Sequence, residues 1–380
     1  MTSSFEFRPG PRLVVGPGTL GRLGEIARAI GGTRALITSD PGIVAAGHAA
    51  AGVDSLKATG IETTVFSGFG ENPSSTDVEA GTAAAREFRP DLLVGLGGGS
   101  SMDLAKGINF LLSRGGRMQD YRGRGTGAQP MLPSIAVPTT AGTGSETQSF
   151  ALITDAETGM KMACGDPAAA FRAAILDVRL TLTQPPRVAA VTGIDAVTHA
   201  VESFVSTAAT AASRMFSIEA WRLLARGLPP VLTGSGDEHD RAAVQLGAAW
   251  AGLAIENAML GAAHAMANPL TAAYGIVHGQ AVGLALPHVV RFNAEVCADA
   301  YAELLTVIGI NADSLTAGER LAGWLEDLLS VAGLSRSISP LGIDHPDVPA
   351  LASMAATQWT GGFNPRPLTN ADWQRLYEVA

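Results

Sequence analysis

Four side chains in the second half of the chain have the types and spacing that could do chemistry. The segment GIDAVTHAVE, Gly193 to Glu202, sets Asp195 and His199 four residues apart, which on a helix aims both at one side. Farther on, GAAHAMANPLTAAYGIVHG supplies His264 and His278. Taken singly, an apolar-flanked histidine reads as a hydrogen-bonded core residue. As a set, four ligand-type side chains in apolar, helical surroundings are costly to bury unless something pairs them, and a metal ion would. Nitrogen and oxygen donors without thiolate suit Fe(II), Zn(II) or similar ions. His288 has no such companion, and His48, His239 and His345 read as surface or loop residues, so these four are assigned structural roles.

A second kind of chemistry is signalled in the first half. In DLLVGLGGGSSMDLAK an apolar strand runs into three glycines, Gly97 to Gly99, then Ser100, Ser101 and the start of a helix. Such a loop lets backbone approach a phosphate, with N–H groups and the helix dipole holding its charge. It also fits a tight turn or a helix cap without a ligand. A second loop, PTTAGTGSE, sets Thr139, Thr140, Thr143 and Ser145 among glycines after another buried strand. Two such loops on one sheet edge imply an extended ligand such as a dinucleotide. The first strand ends in Thr38-Ser39-Asp40; an acidic residue there can accept from a ribose diol and repel a 2′-phosphate, favouring NAD over NADP. An Asp before Pro-Gly is equally an ordinary turn residue.

The elements that must position these residues follow from the pattern. From Arg12 to about Leu180, short β-branched runs alternate with Ala-rich helical stretches, as in a parallel sheet with crossover helices. Arg34 to Thr38, Thr63 to Phe66, Leu92 to Gly95 and Ser134 to Val137 are the expected strands. Each is followed by a turn-rich segment, which places the loops at carboxyl ends of strands, where α/β sheets bind ligands. After Pro185-Pro186, apolar residues recur at helical spacing without a convincing strand. A domain boundary is therefore expected near Gln184, separating an α/β dinucleotide-binding domain, 1–184, from an all-helical metal-binding and substrate domain, 185–380. Gly234 to Asp240 and Ser335 to Pro349 read as helix-connecting loops.

Composition narrows the function classes. With 380 residues, 47% hydrophobic and 16% charged, the chain can build substantial cores, which excludes a disordered or purely linking protein. Its richest apolar stretch, Ala248 to Val290, is broken by Glu256, His264, Asn268, Pro269, His278 and Pro287, so no membrane span is expected there. The start, MTSSFEFRPGPRL, carries no secretion signal, and a cytoplasmic location is the expectation. Cys164 and Cys297 are too few and too isolated for a disulfide framework and read as buried thiols. A net charge of −9 and the lack of a Lys/Arg run argue against nucleic acid as a partner.

The motifs GGGSSMD, PTTAGTGSE, GIDAVTHAVE, HAMANP from His264, VHG around His278 and NPRPLT from Asn364 together resemble the iron-containing (group III) alcohol dehydrogenases, nearly end to end and in the family's order. The resemblance implies a dehydroquinate synthase-like architecture: an α/β nucleotide-binding domain followed by an all-helical domain, with the active site in the cleft. It implies that Asp195, His199, His264 and His278 are the metal ligands, with Fe(II) or Zn(II) as the ion. It places Asp40, Asn72, Gly98, Gly99, Ser100, Ser101, Thr139, Thr140, Thr143, Lys161 and Leu180 at positions that contact NAD(P), and Phe150 near the nicotinamide. Phe150, Ile255, Met259 and Thr360 fall at pocket positions, suggesting a small to medium, partly apolar alcohol or aldehyde. A homodimer or larger homo-oligomer is implied as well.

One departure stands out. Many members carry a second histidine four residues after the third ligand, a proton relay; here that position is Asn268. Water, the cofactor ribose or another side chain would have to substitute. Glu256 is the nearest acidic candidate in sequence, and a solvent-facing helix residue is its competing reading. Two other functions compete with an alcohol dehydrogenase: a maleylacetate-reductase-like reduction of an oxidised acid, and a catalytically silent NAD- or metal-binding module.

Overall fold

The structure is a computed structural model and describes residues 4–380. The chain divides into two compact units, Pro9–Gln184 and Pro185–Ala380, the latter joined by residues 4–8.

In chain order the first unit contains β1 (Arg12–Val15), α1 (Leu23–Ala29), β2 (Arg34–Thr38), α2 (Pro41–Ala45), α3 (His48–Ala58), β3 (Glu62–Phe66), α4 (Ser75–Phe88), β4 (Leu92–Gly97), α5 (Gly99–Arg114), β5 (Gly123–Arg124), β6 (Ser134–Pro138), β7 (Phe150–Thr154), β8 (Lys161–Gly165) and β9 (Ala173–Leu176). Six strands form a wholly parallel sheet in the order β1-β9-β6-β4-β2-β3, and β5, β8 and β7 form a small second sheet. Residue alternation explains why the central strands read as unbroken apolar runs. Leu92, Val94 and Leu96 of β4 join one core with Ala35 and Ile37 of β2, while Leu93 and Leu36 join the core on the opposite face. A parallel strand covered on both sides has no solvent face to mark with polar residues.

All four expected strands are present, extended by a residue or two at some ends. Two members of the main sheet escape the pattern. β1 is a four-residue edge strand with only one buried residue, and β9 reads AAIL, whose alanines carry little strand signal. The strand that leads to Asp40 is therefore the second in the chain, not the first, and it ends at Thr38, two residues before Asp40.

The second unit contains α6 (Pro186–Val205), α7 (Ala211–Leu232), α8 (Glu238–Glu256), α9 (Ala262–Tyr274), α10 (His278–Val307), α11 (Ala317–Val331), α12 (Val348–Ala356) and α13 (Asn370–Val379), with no strand among its described residues. The expected loop Gly234 to Asp240 is shorter than its composition suggests. Asp237 accepts from the Asp240 N–H and caps α8, so Glu238 to Asp240 already form the helix's first turn. The loop at Ser335 to Pro349 likewise yields to α12 at Val348. Pro269 and Pro287, which break the apolar stretch in sequence, sit inside α9 and α10. By length and composition α6 could cross a membrane, but 78% of that window is buried within the protein, as befits a core helix.

Candidate functional site

Within the helical unit, the four ligand-type residues come together through close helix packing. Gly193 on α6 admits the Leu228 side chain of α7, where a Cβ would overlap it. Gly279 brings the start of α10 against the backbone of α6, since a Cβ there would overlap the Val191 carbonyl. That approach is what carries His278, the first residue of α10, to the Asp195 face of α6.

The result is a convergence on one oxygen. Asp195 Oδ1 lies 3.3 Å from His199 Nε2, 3.4 Å from His264 Nε2 and 3.8 Å from His278 Nε2. The rings of His199 and His264 stack at 4.9 Å, and those of His264 and His278 lie 5.4 Å apart. Asp195, His199 and His264 are buried, while His278 keeps 27% of its side chain exposed, the accessible side of the cluster.

Electrostatics favours a cation at this point. Burial pushes the Asp195 carboxyl up, but the imidazoles of His199, His264 and His278 outweigh it and hold it below the usual carboxylate range. Burial lowers the His264 imidazole, yet Glu202 and Asp195 raise it to about 9. Surroundings negative enough to hold a proton on a buried ring also suit a divalent ion. Asp195 Oδ1 and His264 Nε2 are both buried without an aligned hydrogen-bond partner, although they are in contact distance of each other. Orphaned donor atoms facing one point, all nitrogen or oxygen, fit a metal such as Fe(II) or Zn(II).

The departure at Asn268 has a structural counterpart: its side-chain amide donates to Gln358 Oε1 at 2.9 Å. Glu256 is buried at the end of α8, which overturns the solvent-facing reading. Ile255, Met259 and Thr360 are buried as well, and the Thr360 hydroxyl lacks a partner.

In the α/β unit, the glycine loop follows β4 and the threonine loop follows β6, on strands that pair with Gly97 opposite Pro138. Gly97, at φ +151°, holds a conformation that favours glycine. A Cβ on Gly99 would come within 2.8 Å of Thr143, so the two loops touch. No side chain caps the start of α5 at Gly98, whereas Asp40 caps α2 and Ser74 caps α4. The chain leaves β2 toward β3 in one direction and β4 toward β6 in the other, which makes the crevice beyond β2 and β4 the switch point where such sheets bind ligands.

Several of the residues expected to contact the cofactor have partners among themselves. Asp40 Oδ2 accepts from the Ser101 hydroxyl at 3.3 Å, while its Oδ1 accepts from the Gly42 and Ile43 N–H groups. Asn72, in left-handed conformation, donates its N–H to Ser100 Oγ, and its side-chain oxygen accepts from Lys161 Nζ. The Thr139 and Thr140 hydroxyls are buried without partners, and so is that of Ser39, whose only signal in sequence is its place at the end of a strand. Phe150 is buried with its ring over Gly165, and the Leu180 side chain packs into the core. Lys106 carries no functional signal in sequence either, yet its buried ammonium donates to the carbonyls of Ser145 and Phe150.

A metal-ligand cluster on a helical unit and a phosphate-suited switch point on a parallel sheet define a class, and the comparisons with known proteins agree. The chain belongs to the iron-containing alcohol dehydrogenase family: the family's model matches residues 10–178, and that of its carboxy-terminal domain matches residues 189–380. Among its relatives is the NAD-dependent methanol dehydrogenase of Bacillus methanolicus, 32% identical over 97% of this chain and 98% of that one. The crystal structure of a 1,3-propanediol oxidoreductase superposes with a TM-score of 0.95 at 32% identity, covering 99% of this chain and 100% of its own. The sulfoacetaldehyde reductase of Bifidobacterium kashiwanohense in complex with NAD+ is similar with a TM-score of 0.90 at 27% identity, covering 99% and 98%.

Proposed function

We propose that this protein is a metal-dependent, NAD-linked alcohol dehydrogenase or aldehyde reductase, transferring hydride between the nicotinamide and a small alcohol or carbonyl compound. The observation that carries the reading is the convergence of three imidazole Nε2 atoms on Asp195 Oδ1 in a member of this family. Asp195, His199, His264 and His278 would hold Fe(II), or alternatively Zn(II), and the bound ion supplies Lewis-acid polarisation of a carbinol or carbonyl oxygen.

The remaining roles belong to the chain's own residues. Gly98, Gly99 and Ser100 present backbone donors and, together with Ser101, the amino terminus of α5 to the pyrophosphate. Thr139, Thr140 and Thr143 offer hydroxyls beside it, two of them buried and in need of a partner. Asp40, at the switch point, disfavours a 2′-phosphate by like charge and so selects NAD over NADP. Asn72 and Lys161 close one side of the glycine loop through Ser100. Phe150 and Leu180 complete the cofactor contacts. Asn268 carries no titratable proton and is engaged by Gln358, so it serves as a fixed hydrogen-bonding group and not as a proton carrier. Two buried, free cysteines and the lack of a basic run accord with a cytoplasmic enzyme of small molecules, and a homodimer or larger homo-oligomer is part of the same reading.

Purified protein supplied with Fe(II) and NADH is expected to oxidise NADH when offered short aldehydes, and to lose that activity on exhaustive chelation. Turnover undiminished after complete metal removal would sink the metal role.

A further inference from the structure

We propose that Glu202, braced by the Asn364–Asn293 amide pair, is a positioning residue that fixes the His264 imidazole in the tautomer and orientation needed to bind the ion; the proposal rests on the metal-binding reading above. Glu202 lies seven residues after Asp195, about two turns along the same face of α6. It is 4% exposed, and its two oxygens have separate partners. Oε2 accepts from His264 Nδ1 at 2.6 Å, and Oε1 accepts from the Ala263 N–H at 2.7 Å. One carboxylate thus holds both the ring and the backbone of the first turn of α9. That turn has no capping side chain of its own, because Gly261 precedes it. A carboxylate brought from α6 supplies the missing acceptor and complements the helix dipole.

The brace comes from the NPRPLT segment, which the proposed reaction leaves without a task. Asn364 Oδ1 accepts from the Ala262 N–H at 3.3 Å and from Asn293 Nδ2 at 2.9 Å. Asn364 Nδ2 donates to Asn293 Oδ1 and to the Arg366 carbonyl, both at 2.7 Å. Asn293 and Asn364 are buried, so the reciprocal amide pair is sealed from water. Gly261 leaves room for both clamps, since a Cβ there would meet Glu202 Oε1 at 3.1 Å and Asn364 Oδ1 at 3.2 Å. Consecutive residues Ala262, Ala263 and His264 are therefore each tied to α6 or to the Asn364 segment. With Nδ1 donating its proton to Glu202 Oε2, Nε2 is the ring atom left to face the point shared with Asp195 Oδ1, and a neutral His264 would offer its lone pair to an ion there.

The two-acceptor geometry makes the idea testable with an isosteric change. Glu202→Gln leaves one acceptor oxygen, which cannot receive both the Ala263 N–H and the His264 Nδ1 proton. If the new amide N–H faces Nδ1, the ring proton is driven to Nε2, the atom the ion needs. Metal-free protein would be titrated with Zn(II) alone in competition with a chromophoric chelator, alongside circular dichroism of each variant. Wild type is expected to bind the ion, Glu202→Gln to bind it roughly 10- to 100-fold more weakly while folded, and the shorter Glu202→Asp to fall between them. Zn(II) affinity in folded Glu202→Gln equal to wild type overturns the proposal and leaves the metal reading standing. Wild type that binds no Zn(II) overturns both. Should Glu202→Gln fail to fold, Glu202→Asp decides in its place, unchanged affinity counting against the proposal.

Discussion

The ammonium of Lys106 and the carbonyl of Phe150 are 2.7 Å apart, in an interior where Lys106 is 1% exposed. The same Nζ donates to the carbonyl and hydroxyl of Ser145 at 2.7 and 2.9 Å, and the Ser145 hydroxyl donates to Asp103 Oδ1 at 2.7 Å. One cation from α5 therefore pins both ends of the segment from Ser145 to Phe150, which joins the threonine loop to β7.

Replacing Lys106 with methionine keeps most of the packing and removes every bond that its ammonium donates. It leaves Asp103 buried without its neighbouring cation, and breaking a buried pair in this way costs about 3–5 kcal/mol. Lys106→Met is expected to lower the denaturation midpoint by a corresponding amount and to weaken NADH binding, while metal binding by the helical unit persists. Urea unfolding and fluorescence titration with NADH would check this, and unchanged NADH affinity in the folded variant would remove Lys106 from any role in shaping the loop.

Glu146, next in the chain after Ser145, predicts a pH dependence of stability. Burial raises its carboxyl to about 7, with its own backbone N–H and Lys106 opposing only in part. The folded value lies above the ordinary value of 4.5, so the neutral form is favoured in the fold. Its contribution is complete below the unfolded pKa, declines as pH rises toward 7, and is gone above it. A tenfold change in proton affinity corresponds to about 1.4 kcal/mol, so the loss is on the order of 3 kcal/mol. Glu146→Gln should match wild type at pH 4 and exceed it in stability at pH 8. Urea midpoints at the two pH values compare them directly, and parallel curves would show that Glu146 does not titrate between them.

The extent to which this protein is legible in sequence differs between its two halves, for physical reasons. Strands β2, β4 and β6 announce themselves because their buried faces demand continuous apolar runs ending in glycine and hydroxyl residues. The metal cluster is legible because Asp195 and His199 share a helix face. Glu202 and Asn364 are not, since contacts between segments so far apart in the chain leave no local pattern, and both belong to motifs whose polar residues read equally well as surface. Asp103 and Lys106 are hidden in the same way: a buried ion pair looks like a solvated helix face until the packing is known. Glu256 shows the converse, a charged residue at a helix end that the fold turns inward.

Gly279 tests how the cluster is assembled. A Cβ at this position overlaps the Val191 carbonyl, which is rigid helix backbone and not the movable end of a side chain. Gly279→Ala is expected to push the start of α10 away from α6, costing about 1–3 kcal/mol as overpacking and drawing His278 off the Asp195 oxygen. Melting temperature and Zn(II) affinity should fall together. A variant that melts lower yet binds Zn(II) normally would show that His278 does not depend on this approach.

Cofactor choice can be probed at Asp40 without disturbing the fold. Its Oδ1 accepts from Gly42 and Ile43 to cap α2, a role that the carbonyl oxygen of asparagine can fill. Asp40→Asn therefore removes the charge and leaves the cap. A like charge about 4 Å from a 2′-phosphate costs roughly 1–4 kcal/mol, depending on how much water screens it. The ratio of kcat/KM for NADPH to that for NADH is thus expected to rise about tenfold or more in Asp40→Asn, mostly through a lower KM for NADPH. The melting temperature should stay near that of wild type, since the capping bonds persist. An unchanged ratio in a variant of normal stability would mean that Asp40 serves only its turn, and that discrimination between the two cofactors resides elsewhere on the switch-point crevice.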